Sequence, residues 1–175
     1  MAGECEAWRL STHKRNVKRQ TKEASKMKTW QRMVSLLVLA LLVFAASSAS
    51  AANLDSEILY HVNAVRMNAG VAPVALDQNL ASASHIRAEE SKVRFAHQRP
   101  DGREVKSVLE NASYSWFGEN LAVSKSEDAE AIVRAWMNSP THRANLLNRH
   151  YTKMGVSCAK GADGRYYWAQ ELACD

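Results

Sequence analysis

The sequence predicts an α+β domain over residues 52–175, in which helices pack on a small antiparallel sheet. Apolar residues recur at helical spacing from residue 54 to about residue 147. After residue 153 the spacing changes to the alternation of a strand, and a glycine-containing turn at 159–164 separates two strand-like segments. A segment of this size normally forms one domain with one core.

The first two predicted helices have clear ends. Gly70 stops the first helix, whose apolar residues recur at helical spacing: Leu54, Ile58, Leu59, Val62 and Val65. Asp77 can cap a second helix that runs to about Lys92. Its narrow inner stripe is formed by Leu80, Ala81, Ser84 and Ala88.

Three shorter helices are expected next. One runs from Arg103 to Asn111. Ser124, with Glu127 three residues later, forms a capping-box pattern for a helix with an inward face of Ala131, Ile132, Ala135 and Trp136. Ser139-Pro140 is typical of an N-cap and first helical position, so a short helix begins there and continues to about Leu147.

The sheet is predicted from three segments. Alternation at Met154, Val156 and Cys158 indicates one strand, and Tyr166 to Leu172 returns as a second. Because two strands alone are marginally stable, a third is needed, and residues 119–123 are the best candidate.

Residues 27–51 are predicted to be a signal peptide. A basic stretch at 27–32 precedes an apolar run at 33–46, and Ala49-Ser50-Ala51 forms an A-x-A site with cleavage before Ala52. The alternative is an uncleaved membrane anchor, since residues 33–52 carry no charge and are long enough to span a bilayer. We expect an exported protein, either secreted or periplasmic.

Residues 1–26 are polar and basic and show no apolar periodicity. They are expected to be a disordered extension or the product of a start codon mis-assigned upstream of Met27. Residues 1–51 carry nine Lys/Arg and three Asp/Glu, so the positive charge of the chain belongs to this leader. The remaining domain has no basic excess, which argues against a nucleic-acid partner.

Cys158 and Cys174 are the two cysteines of residues 52–175. An even pair in an exported protein suggests a disulfide bond, and two buried thiols are the alternative.

Three side chains are candidates for chemistry: Glu119 in the Gly-Glu-Asn-Leu motif at 118–121, His97 before it and His150 after it. One carboxylate and two imidazoles can bind a divalent cation or move a proton near neutral pH. Structural roles are the alternative: Glu119 would accept hydrogen bonds from backbone N–H groups, His97 would belong to the turn that follows it, and His150 would be structural as well.

The order of motifs resembles the CAP superfamily, also called the SCP domain, and is most similar to its small bacterial branch. The motifs lie at 62–66 (VNAVR), 95–102 (FAHQRPDG), 118–121 (GENL), 136–143 (WMNSPTHR), 150–152 (HYT) and 167–170 (YWAQ). Together they cover about residues 54–172. The resemblance implies an α-β-α sandwich with a central cleft.

In many members of this family, two histidines and two acids line the cleft and can bind Zn²⁺ or another divalent cation. Carried over by motif, they are His97, Glu119 and His150, and Ser139 stands where the second acid usually lies. Two imidazoles and one carboxylate would still suit a three-ligand site with an open position. Asn120, Ser139 and His142 are expected to support the cleft.

The resemblance therefore favours an exported, monomeric binding protein whose cleft takes a divalent metal, a small lipid or a peptide from the cell envelope or a host. A membrane contact would arise only through an uncleaved leader. The alternative is a hydrolase or peptidase in which His97, Glu119 and His150 activate water, and an inert structural or adhesive domain is a third possibility. No nucleophile elbow, phosphate loop or HExxH motif indicates an enzyme.

Overall fold

A computed structural model of the chain describes residues 54–109 and 112–175, together with residues 27, 30, 31 and 33–35 of the leader. These leader residues are helical and exposed. Residues 1–26 and the predicted cleavage site lie outside the described residues, so the proposed division of the leader stays a prediction. No helix in the described part of the chain is long and apolar enough to cross a membrane.

The helices largely follow the sequence pattern. Helix α1 covers residues 54–68, and Gly70 follows it with a positive φ of 68°. Helix α2 covers Gln78–Val93, and the Asp77 carboxylate accepts hydrogen bonds from the backbone N–H groups of Asn79 and Leu80. Helix α3 covers Ala129–Asn138, and α4 covers Pro140–Leu146 directly after Ser139.

Two helix predictions needed correction. The segment after residue 103 forms only a 3-10 helix, Val105–Leu109. The capping box at Ser124 and Glu127 is wrong, because Ser124 is the last residue of a strand and its hydroxyl accepts a hydrogen bond from Trp168 Nε1 at 2.8 Å. Asp128 caps α3 instead by accepting from the Ala131 N–H at 2.9 Å.

Within the described residues the sheet has four strands in the order β1-β3-β4-β2. They are β1 (Ala75–Leu76), β2 (Trp116–Ser124), β3 (Lys153–Lys160) and β4 (Tyr166–Cys174). The three longer strands pair antiparallel, which confirms the predicted third strand, and β1 pairs parallel with β3. A two-residue strand such as β1 is too short to show alternation, so the sequence did not reveal it.

Helices cover both faces of this sheet. Trp168 and Leu172 of β4 join an apolar cluster with residues of α1, α3 and α4, including Ile58, Trp136 and Leu146. The alternate residues Ala169 and Ala173 face the other way and cluster with α2. At Gly155 of β3 a Cβ atom would collide with the backbone of Leu80 and Ala81, so α2 lies directly on the sheet. This is the expected α-β-α sandwich.

The predicted disulfide bond is wrong. Cys158 lies opposite Trp168 on the β3–β4 pair, and Cys174 lies six residues further along β4. Six residues of strand span roughly 20 Å, whereas a disulfide needs Cα atoms within about 7 Å. Both cysteines are free thiols, and burial raises the pKa of the Cys158 thiol to about 12.

Candidate functional site

A cavity of about 420 Å³ opens beside β2, which forms one edge of the sheet of described strands. Three parts of the chain line it: the loop after α2, the middle of β2, and the junction of α3 and α4. The lining residues are Phe95, Ala96, His97, Leu121, Ala122, Ala135, Trp136, Ser139 and His142. The walls are mostly apolar, with two imidazoles and one hydroxyl among them.

His97 and Glu119 meet at this cavity, as the sequence suggested. His97 Nδ1 lies 2.7 Å from Glu119 Oε1. The Glu119 side chain is 1% exposed, whereas that of His97 is 62% exposed. The carboxylate is therefore inside the protein, and the imidazole connects it to the open cavity.

The partner that the sequence analysis missed is Arg87 on the inner face of α2. Its Nε donates to Glu119 Oε2 at 2.6 Å and its Nη2 to Glu119 Oε1 at 3.3 Å. The same Nη2 donates to the backbone oxygens of Ala96 at 2.7 Å and His97 at 3.2 Å. One buried guanidinium therefore holds both the carboxylate and the main chain of the histidine. The sequence held one signal that Arg87 is buried: it lies three residues after Ser84, on the helix face that carries small buried residues.

A second ion pair anchors the loop that carries His97. Glu90 accepts from Arg87 Nη1 at 2.6 Å and from Arg99 Nη2 at 2.6 Å. Partial burial would raise the pKa of Glu90, but the hydrogen bonds from Arg99 and Arg87 outweigh it and lower that pKa. Arg99 thus ties the turn at residues 99–102 to α2.

Glu171 of β4 is a second buried acid, directly opposite Glu119 in the sheet. Among the described residues, no N–H or hydroxyl group donates to its carboxyl oxygens. Burial, followed by the charge of Glu119 and a hydrogen bond with it, raises the pKa of Glu171 well above its usual value, while Arg87 acts in the opposite direction. Both observations favour the neutral form of the Glu171 carboxyl group over the charged form.

Of the predicted supporting residues, Asn120 connects β2 to α4, and Asn145, which was not predicted, makes a second connection. Asn120 Nδ2 donates to the oxygen of Gln170 at 3.0 Å and to the backbone oxygen of His142 at 3.3 Å. Asn145 Nδ2 donates to the backbone oxygen of Glu119 at 3.1 Å. Ser139 lines the cavity, and its hydroxyl makes no capping hydrogen bond to α4.

His142, not His150, is the second histidine of the cavity. Burial, and then the charge of His97, lower the pKa of His142. His150 is exposed and stacks on Trp116, with ring centroids 4.2 Å apart and planes at 1°. Trp116 lies three residues before Glu119 in β2, so their side chains point to opposite faces. The structure therefore does not bring His150 to the His97–Glu119 pair.

The donors at the cavity do not fit the predicted three-ligand metal centre. Both oxygens of Glu119 already accept hydrogen bonds from Arg87, and Oε1 also contacts His97. A serine hydroxyl replaces the second acid. Across residues 54–109 and 112–175, no three His, Cys, Asp or Glu side chains lie together so that they could hold a metal ion. Two imidazoles remain, fewer than the three protein ligands of a catalytic zinc site.

A family model described as "Cysteine-rich secretory protein family" (CAP) matches residues 59–172, more than half of the chain. Among curated proteins, the uncharacterized protein YkwD of Bacillus subtilis is 30% identical over 132 residues, which cover 73% of this chain and 49% of YkwD. The chain thus spans about half the length of that relative, and 32% of another B. subtilis relative, the uncharacterized membrane protein YlbC.

Two solved structures show the same fold. An extracellular protein with an SCP domain from Bacillus anthracis aligns with a TM-score of 0.64 at 24% identity, covering 71% of this chain and 41% of that one. An outer surface protein from Borrelia burgdorferi aligns with a TM-score of 0.59 at 18% identity, covering 66% of this chain and 88% of that one. Each similarity lies below 25% identity and bears on the fold alone.

Proposed function

This chain belongs to the cysteine-rich secretory protein (CAP) family, and we propose that it is an exported binding protein whose cavity takes a small, lipid-like ligand. The observation that carries the proposal is the apolar lining of the cavity beside β2. Apolar side chains, among them Phe95, Leu121 and Trp136, form most of the wall, and the polar side chains of the lining are His97, Ser139 and His142. A few polar groups in an apolar concavity are typical of small-molecule sites.

The size and the entrance of the cavity support the same ligand class. Its volume of about 420 Å³ lies in the range of roughly 300–1,000 Å³ found for small-molecule pockets. Phe95 is 52% exposed although it lines the cavity. Covering this ring with a ligand would remove apolar surface from water, which favours binding.

Export is supported by the sequence of the leader. Residues 27–51 have the basic start, apolar run and small-residue site of a signal peptide. The aligned B. anthracis protein is described as extracellular. An exported lipid binder would meet its ligands in the cell envelope or in a host.

The test is a titration of the purified protein with 1-octanol, followed by shifts of backbone amide signals in ¹H–¹⁵N NMR spectra. We expect saturable shifts around residues 95–97 and 135–142. Ala135→Trp would fill the cavity and raise the Kd at least tenfold, because the bulky ring would occupy the binding volume. Arg134→Trp is the matched control, since Arg134 lies on the same helix and its side chain is 61% exposed. Shifts that are absent, or equal in the two variants, would contradict the proposal.

A hydrolase is the second candidate, favoured by the 2.7 Å contact between His97 and Glu119. A carboxylate that orients an imidazole is a common arrangement for general-base catalysis. Turnover of p-nitrophenyl octanoate that disappears in the folded Glu119→Gln variant would support this candidate. Binding of octanol that survives the same substitution would favour the binding protein.

A further inference from the structure

We infer that the guanidinium of Arg87 takes the place of a metal cation in this chain, so that His97 and Glu119 are held by an internal cation and the cavity does not bind Zn²⁺. The family resemblance implies a divalent cation beside these two side chains, and the donors present do not fit one. The contacts of Arg87 account for this disagreement, and they do not depend on the lipid-like ligand proposed above.

The Glu119 carboxylate has little capacity left for a metal ion. Its Oε2 accepts from Arg87 Nε at 2.6 Å, and its Oε1 accepts from Arg87 Nη2 at 3.3 Å and lies 2.7 Å from His97 Nδ1. The side chains of Arg87 and Glu119 are 0% and 1% exposed, respectively. A metal ion that displaced Arg87 would leave a buried guanidinium without its partner, which is strongly unfavourable.

Arg87 itself lies among the kind of oxygen atoms that bind metal ions. Its Nη1 donates to the Glu90 carboxylate at 2.6 Å, and its Nη2 donates to the backbone oxygens of Ala96 and His97 at 2.7 and 3.2 Å. Together with Glu119, these acceptors come from α2, β2 and the loop after α2. Carboxylate and carbonyl oxygens are typical ligands of hard divalent cations. Here they surround a planar organic cation that is always charged.

The buried charges are already matched without a metal ion. Arg87 pairs with Glu119 and Glu90, and Arg99 pairs with Glu90. Two guanidinium groups therefore face two carboxylates. Burial, followed by the charge of Glu119, raises the pKa of Glu171, so this third acid favours its neutral form. A divalent cation would add two positive charges beside Arg87 and would be repelled.

Two features separate this chain from a three-ligand site: the guanidinium that occupies Glu119, and the serine at position 139. Ser139 lines the cavity together with His97, so an acidic side chain at position 139 would supply a third ligand. A catalytic zinc site takes three protein ligands and keeps one position open. Replacing both Arg87 and Ser139 should therefore create Zn²⁺ binding, whereas replacing Ser139 alone should not.

The experiment is a calorimetric titration of Zn²⁺ into the purified, EDTA-treated protein at pH 7.5. We expect no one-to-one binding that depends on His97 in the unsubstituted protein or in Ser139→Glu. The double variant Arg87→Met, Ser139→Glu should bind one Zn²⁺ with a Kd at least tenfold lower than that of Ser139→Glu, and Zn²⁺ should raise its melting temperature.

The matched control is Arg66→Met combined with Ser139→Glu. Arg66 is also fully buried, but its partners among the described residues are all backbone oxygens. Removing it frees no carboxylate, so this control should not gain Zn²⁺ binding.

Three results would overturn the inference. One is one-to-one Zn²⁺ binding by the unsubstituted protein that is lost in His97→Ala. Another is a double variant that is folded by ¹H–¹⁵N NMR and binds no Zn²⁺, since a feature other than Arg87 would then exclude the metal. The third is equal Zn²⁺ binding in the Arg66 control.

The titrations of the unsubstituted protein and of His97→Ala are decisive even if the double variant does not fold, because neither removes a buried charge. Binding of 1-octanol is measured separately, so the proposed function is tested by a different result.

Discussion

Each face of the sheet holds a fully buried arginine, and the two arginines, Arg66 and Arg87, have different kinds of partner. Arg66 lies on the face covered by α1, α3 and α4, and its partners among the described residues are all backbone oxygens, those of Ala72, Leu146, Asn148 and Tyr151. Arg87 lies on the face covered by α2, and it also binds two carboxylates, Glu119 and Glu90. Both side chains are fully buried.

This difference appears in the pKa of each guanidinium. Burial lowers the pKa of Arg66. Burial also acts to lower that of Arg87, but hydrogen bonds with Glu119 and Glu90 outweigh it, so the pKa of Arg87 is raised. Arg66 therefore connects separate main-chain segments through hydrogen bonds inside an apolar layer. Arg87 balances buried acids and, through them, orients a side chain of the cavity.

The surrounding side chains fit these roles. The Arg66 face holds large apolar residues such as Trp136 and Trp168. The α2 face holds small residues at contact, among them Ala83, Ser84 and Ala88, with the charged groups between them. The face covered by α1, α3 and α4 therefore holds the largest apolar side chains of the core, whereas the face covered by α2 holds the buried charges that contact His97.

The largest expected effect comes from removing the charge balance. Arg87→Met should lower the free energy of unfolding by about 3–5 kcal/mol, because it leaves the buried carboxylate of Glu119 without the guanidinium that balances its charge. Glu119→Gln added to this variant should recover part of the loss, since no uncompensated charge then remains. Urea unfolding of the single and double variants measures both quantities.

Ile58→Ala is the control on the apolar face. We expect it to cost about 2–5 kcal/mol through the cavity it leaves and to be additive with Glu119→Gln within about 0.5 kcal/mol. If Arg87→Met and Glu119→Gln were equally additive, the distinction between the two faces would be lost.

Glu171 should make the free energy of unfolding depend on pH, and we expect this effect to be intermediate in size. Its raised pKa means that the folded chain keeps a proton which the unfolded chain loses above about pH 4.5. The free energy of unfolding should therefore fall as the pH rises from 4.5, by up to about 1.4 kcal/mol per pH unit from this group. Glu171→Gln should remove that fall.

The measurement is the difference in unfolding free energy between the Glu171→Gln variant and the unsubstituted protein at pH 5.0 and 7.5. The difference should grow in favour of the variant at the higher pH. Asp77 and Glu90 have lowered pKa values, so their contribution to the free energy of unfolding is lost only as the pH falls below this range. They and His142 are common to both proteins and cancel. A difference independent of pH would mean that Glu171 does not hold its proton.

The smallest expected effect concerns the cysteines. Dithiothreitol should leave the melting temperature unchanged, because Cys158 and Cys174 lie at separate positions along the sheet. A disulfide between them would contribute on the order of 3 kcal/mol and would make the melting temperature sensitive to reduction. Alkylation of the unfolded, unreduced protein should modify both residues, as mass spectrometry would record.

Much of the fold could be predicted because its signals are local. Asp77 before a helix, Gly70 after one and Ser139-Pro140 at the start of another depend on a few neighbouring residues, and all three held. The capping box at Ser124 failed because the side chain had a second possible partner, Trp168, which is distant in sequence.

The candidate site was only partly predictable for the same reason. His97 and Glu119 lie in recognisable motifs, and they do meet. His150 was favoured by its motif, yet its ring stacks on Trp116, and His142 reaches the cavity in its place. Nothing in the local sequence says which of two nearby histidines faces inward, since that depends on how α4 and the following loop pack.

The sequence by itself determined the order of the longer helices and strands and the family, because these depend on residue type, spacing and motif order. Only the tertiary structure decided the partners of the buried charges. Arg87, Glu119 and Glu171 come from three different elements, and their protonation depends on burial and on distances of a few ångströms. The low dielectric of the interior makes such contacts strong, and residue spacing along the chain does not reveal which charges will meet there.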